Sequence, residues 1–93
     1  MSKKSVVWTA DALRKLRAIT DYIAERNPPA ARRLEEAFIQ CAQRIRTQPL
    51  MYRQGRVAGT REAVVHPNYL MIYQIREHQI VIVSVVHARQ QYP

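Results

Sequence analysis

Apolar positions along the chain change period once, and that change divides it into two halves. "SVVW" (Ser5 to Trp8) is a short run of β-branched and aromatic residues and predicts a first strand. Thr9 follows in the position of a helix N-cap, with Trp8 and Leu13 spaced as a hydrophobic staple across it. From Ala10 to about Arg26, Leu13, Leu16, Ile19 or Thr20, and Ile23 recur at helical spacing. Arg14, Arg17 and Asp21 fall on the other side, with Arg17 and Asp21 placed to pair. Asn27 caps a second helix at once, because Pro28 suits the first helical position, where its missing N–H costs nothing. Leu34, Phe38 or Ala37, Cys41 and Ile45 form its buried stripe, and Arg32 with Glu36 gives an exposed pair. So short a connection predicts a helical hairpin.

The helical period is lost from Thr47 to Thr60. "TQPLMYRQGRVAGT" contains Pro49 and both glycines and reads as a loop, with Arg53, Arg56 and then Arg61 around Tyr52. Beyond it "REAVVH", "YLMIYQIR" and "QIVIVSVV" predict three strands, separated by "HPN" and by a tight connection near Glu77–His78. Helices followed by an antiparallel meander make an α+β domain with the hairpin packed on one sheet face. No internal repeat or low-complexity segment interrupts it.

Composition narrows the class. A chain of 93 residues with 47% hydrophobic and 24% charged residues is expected to form one globular domain over 1–93, with 1–4 as a disordered tail. No apolar run approaches the ~20 residues that span a bilayer, and the apolar stretch after Lys3 and Lys4 is too short for a signal peptide. Cys41 is the single cysteine, so no internal disulfide is available and a cytoplasmic setting is expected. On the inner stripe of its helix it reads as a small buried hydrophobe, not a reactive thiol.

Charge changes the picture most. Lys and Arg number 15 against seven Asp and Glu, a net +8. That balance suits nucleic acid, a ribosome or an acidic protein partner, including direct nucleic-acid contact through the basic surface. All three lysines fall in the first fifteen residues, and every later cation is arginine, which favours bidentate contact with carboxylate or phosphate.

Most cofactor chemistry lacks its residues. His66, His78 and His87 are not spaced as a ligand set, so no metal is expected. There is no GxSxG and no glycine-rich phosphate loop, so neither a serine nucleophile nor a nucleotide cofactor is expected. One reaction has its side chains: metal-free cleavage of RNA through the 2′-hydroxyl, which needs a base, an acid and cations around the phosphorane. His87, Tyr92, Arg89 and Arg61 supply those types, and Glu62 is a further base. Each also has an ordinary structural use, His87 capping the last strand and Glu62 pairing with Arg61.

Three stretches together, "VVWTADALRKLRAITDYIAERNPPAARRLEEAF", "GTREAVVHPNYLMIY" and "IVIVSVVHARQQYP", resemble the RelE/ParE toxin superfamily of bacterial toxin–antitoxin modules, the ParE branch most closely. The resemblance implies a β-α-α-β-β-β fold, the hairpin lying on one face of a mainly antiparallel four-stranded sheet. It also implies growth inhibition, a role in plasmid stabilisation, and a cognate antitoxin that wraps and silences the toxin. ParE members poison DNA gyrase; RelE members cleave mRNA in the ribosomal A site. RelE-like nucleases carry an arginine where this chain has Leu70, and another in an ending resembling "GHRRxVY" where this chain has Ala88, although Arg89 and Tyr92 align with that ending. Their mid-chain lysines are absent too. The expectation is therefore a gyrase-binding toxin with no catalytic residues, no cofactor and no membrane partner. Arg53, Arg56, Arg61, Arg89 and Tyr92 would dock the target or the antitoxin. The alternative is a ribosome-dependent mRNA endonuclease using Arg61, His87, Arg89 and Tyr92.

Overall fold

A computed structural model describes residues 4–90 and 92. The elements run β1 (Ser5–Trp8), α1 (Ala10–Ala24), α2 (Pro28–Thr47), β2 (Arg53–Gln54), β3 (Arg61–His66), β4 (Tyr69–Ile75) and β5 (Gln79–His87). They build one five-stranded sheet in the order β1-β5-β4-β3-β2, with β1 parallel to β5 and every other pairing antiparallel. The expected four strands are present. The fifth is β2, a two-residue strand inside the stretch read as loop, which pairs with Arg61 and Glu62.

The caps form as their side chains dictate. Thr9 Oγ1 accepts from the Ala12 N–H at 3.0 Å, Asn27 Oδ1 accepts from the Ala30 N–H at 3.2 Å, and Pro28 occupies the first turn of α2. The α2 stripe buries Leu34, Phe38, Cys41 and Ile45 as its spacing predicts, and Cys41 is fully enclosed. The α1 stripe holds at Leu16, Ile19, Thr20 and Ile23 but differs at its start: Ala12 is buried, while Leu13 is 44% exposed. A small residue at position 12 lets α1 approach β5 closely, which turns Leu13 outward. The ion pairs also differ. Asp11 pairs with Arg14 and, at 3.2 Å, with Lys15, and Glu36 accepts from Gln40; among the described residues neither Arg17–Asp21 nor Arg32–Glu36 forms.

Residues 1–3 of the expected tail lie outside the described residues. Lys4, the fourth, is tied down: its ammonium donates to the Arg76 and Glu77 carbonyls, and its own carbonyl accepts from Arg46 Nε at 3.0 Å.

The hairpin covers one sheet face, where Phe38, Cys41 and Ile45 of α2 join Ala12 and Leu16 of α1 against Ala63, Met71, Tyr73, Ile80, Ile82 and Val85. A bulge in β5 sets this. Tyr73 pairs with Ile82 but Ile72 pairs with Ser84, so Val83 is the extra residue. Alternation therefore reverses beyond it, which directs Val85 to the hairpin and Ser84 and Val86 to the opposite face.

Candidate functional site

Among the described residues no helix lies on the opposite face, which carries the second apolar cluster: Leu70, Ile72 and Val86, with Val83, Ala88 and Tyr92 packed against them. The chain turns back there after β5. Ala88 N–H donates to the Asn68 carbonyl at 2.8 Å, Arg89 N–H to His87 Nδ1 at 3.1 Å, and Gln90 N–H to the His87 carbonyl at 2.9 Å. His87 thus holds the turn that ends the strand, its ordinary structural use. Tyr92 then lies under the Arg56 guanidinium, 4.9 Å from ring centroid to Cζ, and its hydroxyl is buried with no hydrogen-bond partner among the described residues.

Arg53 and Glu62 share this face, because Glu62 is opposite both Ile72 and Arg53. Arg53 Nε donates to Glu62 Oε1 at 2.8 Å; the carboxylate is only 5% exposed and its second oxygen has no partner among the described residues. The expected Arg61–Glu62 bridge does not form, because neighbouring strand residues face opposite ways. Arg61 points to the hairpin side, opposite Tyr73, and donates to the Tyr52 carbonyl at 2.6 Å.

Tyr52 fixes the loop that carries Arg53 and Arg56. Its hydroxyl accepts from Arg44 Nε at 3.4 Å and meets Cys41 Sγ at 3.6 Å, and its ring stands edge-on to Tyr73, 6.4 Å away. Burial pushes the Tyr52 hydroxyl pKa up, an effect that Arg44 opposes. The same hydrogen bond, with the attraction of the phenol, raises Arg44. Tyr73 is fully enclosed, donates to the Pro49 carbonyl at 2.6 Å, and is pushed up to about 12 by desolvation.

The residues proposed for docking therefore separate. Arg53, Arg56 and Tyr92 gather on the uncovered face; Arg61 lies on the hairpin side, and Arg89 is exposed in the turn after β5. The nuclease set disperses further. His87 sits opposite Tyr69 with the rings 5.4 Å apart, on the hairpin side. Arg61 is four residues along β4 and two strands across from it, ~16 Å between Cα atoms from ordinary sheet spacing. Tyr92 is on the reverse face. The sequence reading missed Lys15, whose ammonium reaches round the edge of β5 to Ser84 Oγ at 3.0 Å. No signal in the sequence marks it, since it depends on α1 flanking the part of β5 that β1 leaves unpaired beyond Ile82. Among the described residues no group of His, Cys, Asp and Glu is placed to hold a metal ion, and no helix is long and apolar enough to cross a membrane.

A two-helix hairpin on one face of a sheet, with a C-terminal turn folded onto the other, defines a toxin-type fold that known proteins share. The solved chromosomal ParDE toxin–antitoxin system from P. aeruginosa superposes with a TM-score of 0.80 at 18% identity, covering 91% of this chain and 96% of that one. The RelBE2 toxin–antitoxin complex from Mycobacterium tuberculosis gives 0.66 at 25% identity, covering 97% of both chains. In sequence, Toxin RelE2 of Caulobacter vibrioides is 38% identical over 85 residues, which is 89% of this chain and 93% of that protein. Y4kP of Sinorhizobium fredii, named as a candidate toxin, is 36% identical over 94 residues, 100% of this chain and 97% of its own. The family model described as ParE toxin of type II toxin-antitoxin system, parDE, matches residues 6–92. The chain belongs to this ParE toxin family and is a type II toxin of the ParE/RelE fold.

Proposed function

We propose that this toxin arrests growth by binding DNA gyrase, not by cutting RNA, and that a cognate antitoxin silences it. One observation carries the first part. Leu70 and Ala88, the positions where RelE-like nucleases resemble one another in carrying arginine, belong to a single apolar cluster beneath Tyr92. Each cation lost from a phosphorane site forfeits roughly 2–4 kcal/mol of transition-state stabilisation, and an apolar cluster offers nothing in exchange. The dispersal of Arg61, His87 and Tyr92 supports the same reading. Arg56, held over Tyr92, and Arg53 on the same sheet face then serve for docking.

The test is supercoiling and DNA cleavage by gyrase in the presence of toxin refolded free of antitoxin. Inhibited supercoiling or accumulated cleaved DNA is the expected result; no effect from a folded, growth-inhibiting toxin refutes it. The name of the Caulobacter relative, RelE2, favours a second reading as a ribosome-dependent mRNA endonuclease. Under it, Tyr92→Phe and Arg89→Ala abolish mRNA cleavage in a translation extract.

The antitoxin reading is supported by the toxin–antitoxin complexes among the solved relatives. On this chain, a groove of about 320 Å³ along the hairpin exposes Leu13 and Ile39 beside Trp8 and Leu16, a shape that takes the apolar face of a helix. The net charge of +8 attracts an acidic chain at long range. Hydrogen exchange with and without antitoxin checks it: protection is expected along α1 and α2, and an unchanged hairpin speaks against this groove.

A further inference from the structure

The uncovered sheet face holds a cleft of about 290 Å³, walled by the β2–β3 loop, the end of β5 and the C-terminal turn. Its floor is apolar, formed by Ile72, Val83, Val86 and the Tyr92 ring, with Val57 on the loop side. Lys15, Thr60, Gln74, Ser84 and Gln90 rim it. The volume stands at the low end for ligand sites, typically ~300–1,000 Å³, and suits one large side chain better than a cofactor.

The charge around the cleft specifies what the occupant presents. The Tyr92 ring lines the cleft, whereas its hydroxyl is buried away from it. The cations around the cleft are in excess. Arg56 lies over Tyr92, Arg53 is on the same face, and Lys15 stands at the rim, whereas the nearby acids, Glu62 and Asp11, are already paired with Arg53 and with Arg14 and Lys15.

We propose that this cleft is the anchor point for an acidic segment of the toxin's target protein. One large apolar side chain of that segment sits on Ile72 and Val86, and a carboxylate of the segment accepts from Lys15, with Arg56 adding attraction. Only the identity of the target rests on the gyrase reading.

Three variants test the cleft without touching the core under the hairpin. Ser84→Trp fills it, Lys15→Ala removes the rim cation, and Arg56→Ala removes the cation over Tyr92. Each is compared with the unaltered toxin for gyrase inhibition and, separately, for antitoxin affinity, after its melting curve shows that it folds. Losing one hydrogen bond to a charged group corresponds to roughly a tenfold effect. About tenfold weaker gyrase inhibition by each variant, with antitoxin affinity within about threefold, is the expected result. Unchanged inhibition by all three overturns the proposal. Weakened antitoxin binding with inhibition intact also overturns it and assigns the cleft to the antitoxin. Should the unaltered toxin leave gyrase untouched, the gyrase reading fails on its own, and an acidic peptide with one central phenylalanine becomes the probe. Amide shifts at Thr60, Ser84 and Gln90 that Ser84→Trp abolishes then support the cleft, and absent shifts overturn it.

Discussion

Leu70 on β4 and Ala88 beyond β5 meet in one apolar cluster, because Leu70 pairs with Val86 and the chain turns back at His87 to bring Ala88 onto the same face. Either position alone reads as an ordinary apolar substitution. Together they put an apolar floor at one place on the sheet, which supports the proposed reading of a toxin that acts by binding.

An arginine at one of these positions is expected to be costly. Leu70 is 4% exposed, and Leu70→Arg would bury a guanidinium among Ile72, Val86 and Tyr92 without an acid partner. A destabilisation of roughly 3 kcal/mol or more is expected, read from the urea midpoint. A variant as stable as the parent would mean that the cluster opens readily.

The Arg53–Glu62 pair is lopsided in exposure, 63% against 5%, so its two halves have unequal consequences. Arg53→Ala strands a buried carboxylate and is expected to cost roughly 1–3 kcal/mol. Glu62→Gln leaves an arginine that water already solvates and keeps an acceptor on the buried side, so its cost is expected below about 1 kcal/mol. Denaturant melts of both single variants and the double variant measure the asymmetry. Equal costs would place the weight on the charge pair itself, not on the burial of one partner.

Tyr73 links stability to alkaline pH. Its folded pKa, raised to about 12 by desolvation, stands above the ordinary value near 10, so the folded state resists ionisation. The associated stability is fully present below about pH 10 and is lost as pH rises to about 12, at roughly 2–3 kcal/mol for the two-unit gap. Tyr73→Phe loses the hydrogen bond to the Pro49 carbonyl, about 1 kcal/mol at neutral pH, and is expected to decline less above pH 10. Melting curves of both proteins across that range should converge. A constant difference would show that water reaches the hydroxyl.

Gly59 is the one described residue with a left-handed backbone, at φ 83°, and an added Cβ would meet nothing within 4 Å. Gly59→Ala is therefore a purely conformational change, expected to cost roughly 1–2 kcal/mol. If thermal melting shows no loss, the loop carries Gly59 into another conformation without effort.

Elements with strong local signals were legible in the sequence. Thr9, Asn27 and Pro28 each act through groups within a few residues, so both helix starts could be read, and β3 was bounded correctly from Arg61 to His66. The α2 stripe was right because Leu34, Phe38, Cys41 and Ile45 repeat one spacing. In α1, Leu16, Thr20 and Ile23 face the core as expected, but Leu13 does not and Ala12 was missed, because Ala12 carries little hydrophobic signal and its burial comes from close approach to β5. Strand β2 was missed because two residues cannot show a period; the partner strand β3 makes them a strand.

What the sequence by itself determined was the class and order of every element except β2, and the excess of positive charge. These follow from side-chain type and from interactions spanning one or two turns of chain. Tertiary structure alone decided which side chains stand together. A single bulge at Val83 reverses the alternation of β5, so that Ser84 and Val86 face away from the hairpin, and no local preference in "IVIVSVV" announces it. The same packing sends Arg61 and His87 to one face and Tyr92 to the other, because direction across a sheet depends on register, and register is fixed by the partner strand and the covered face.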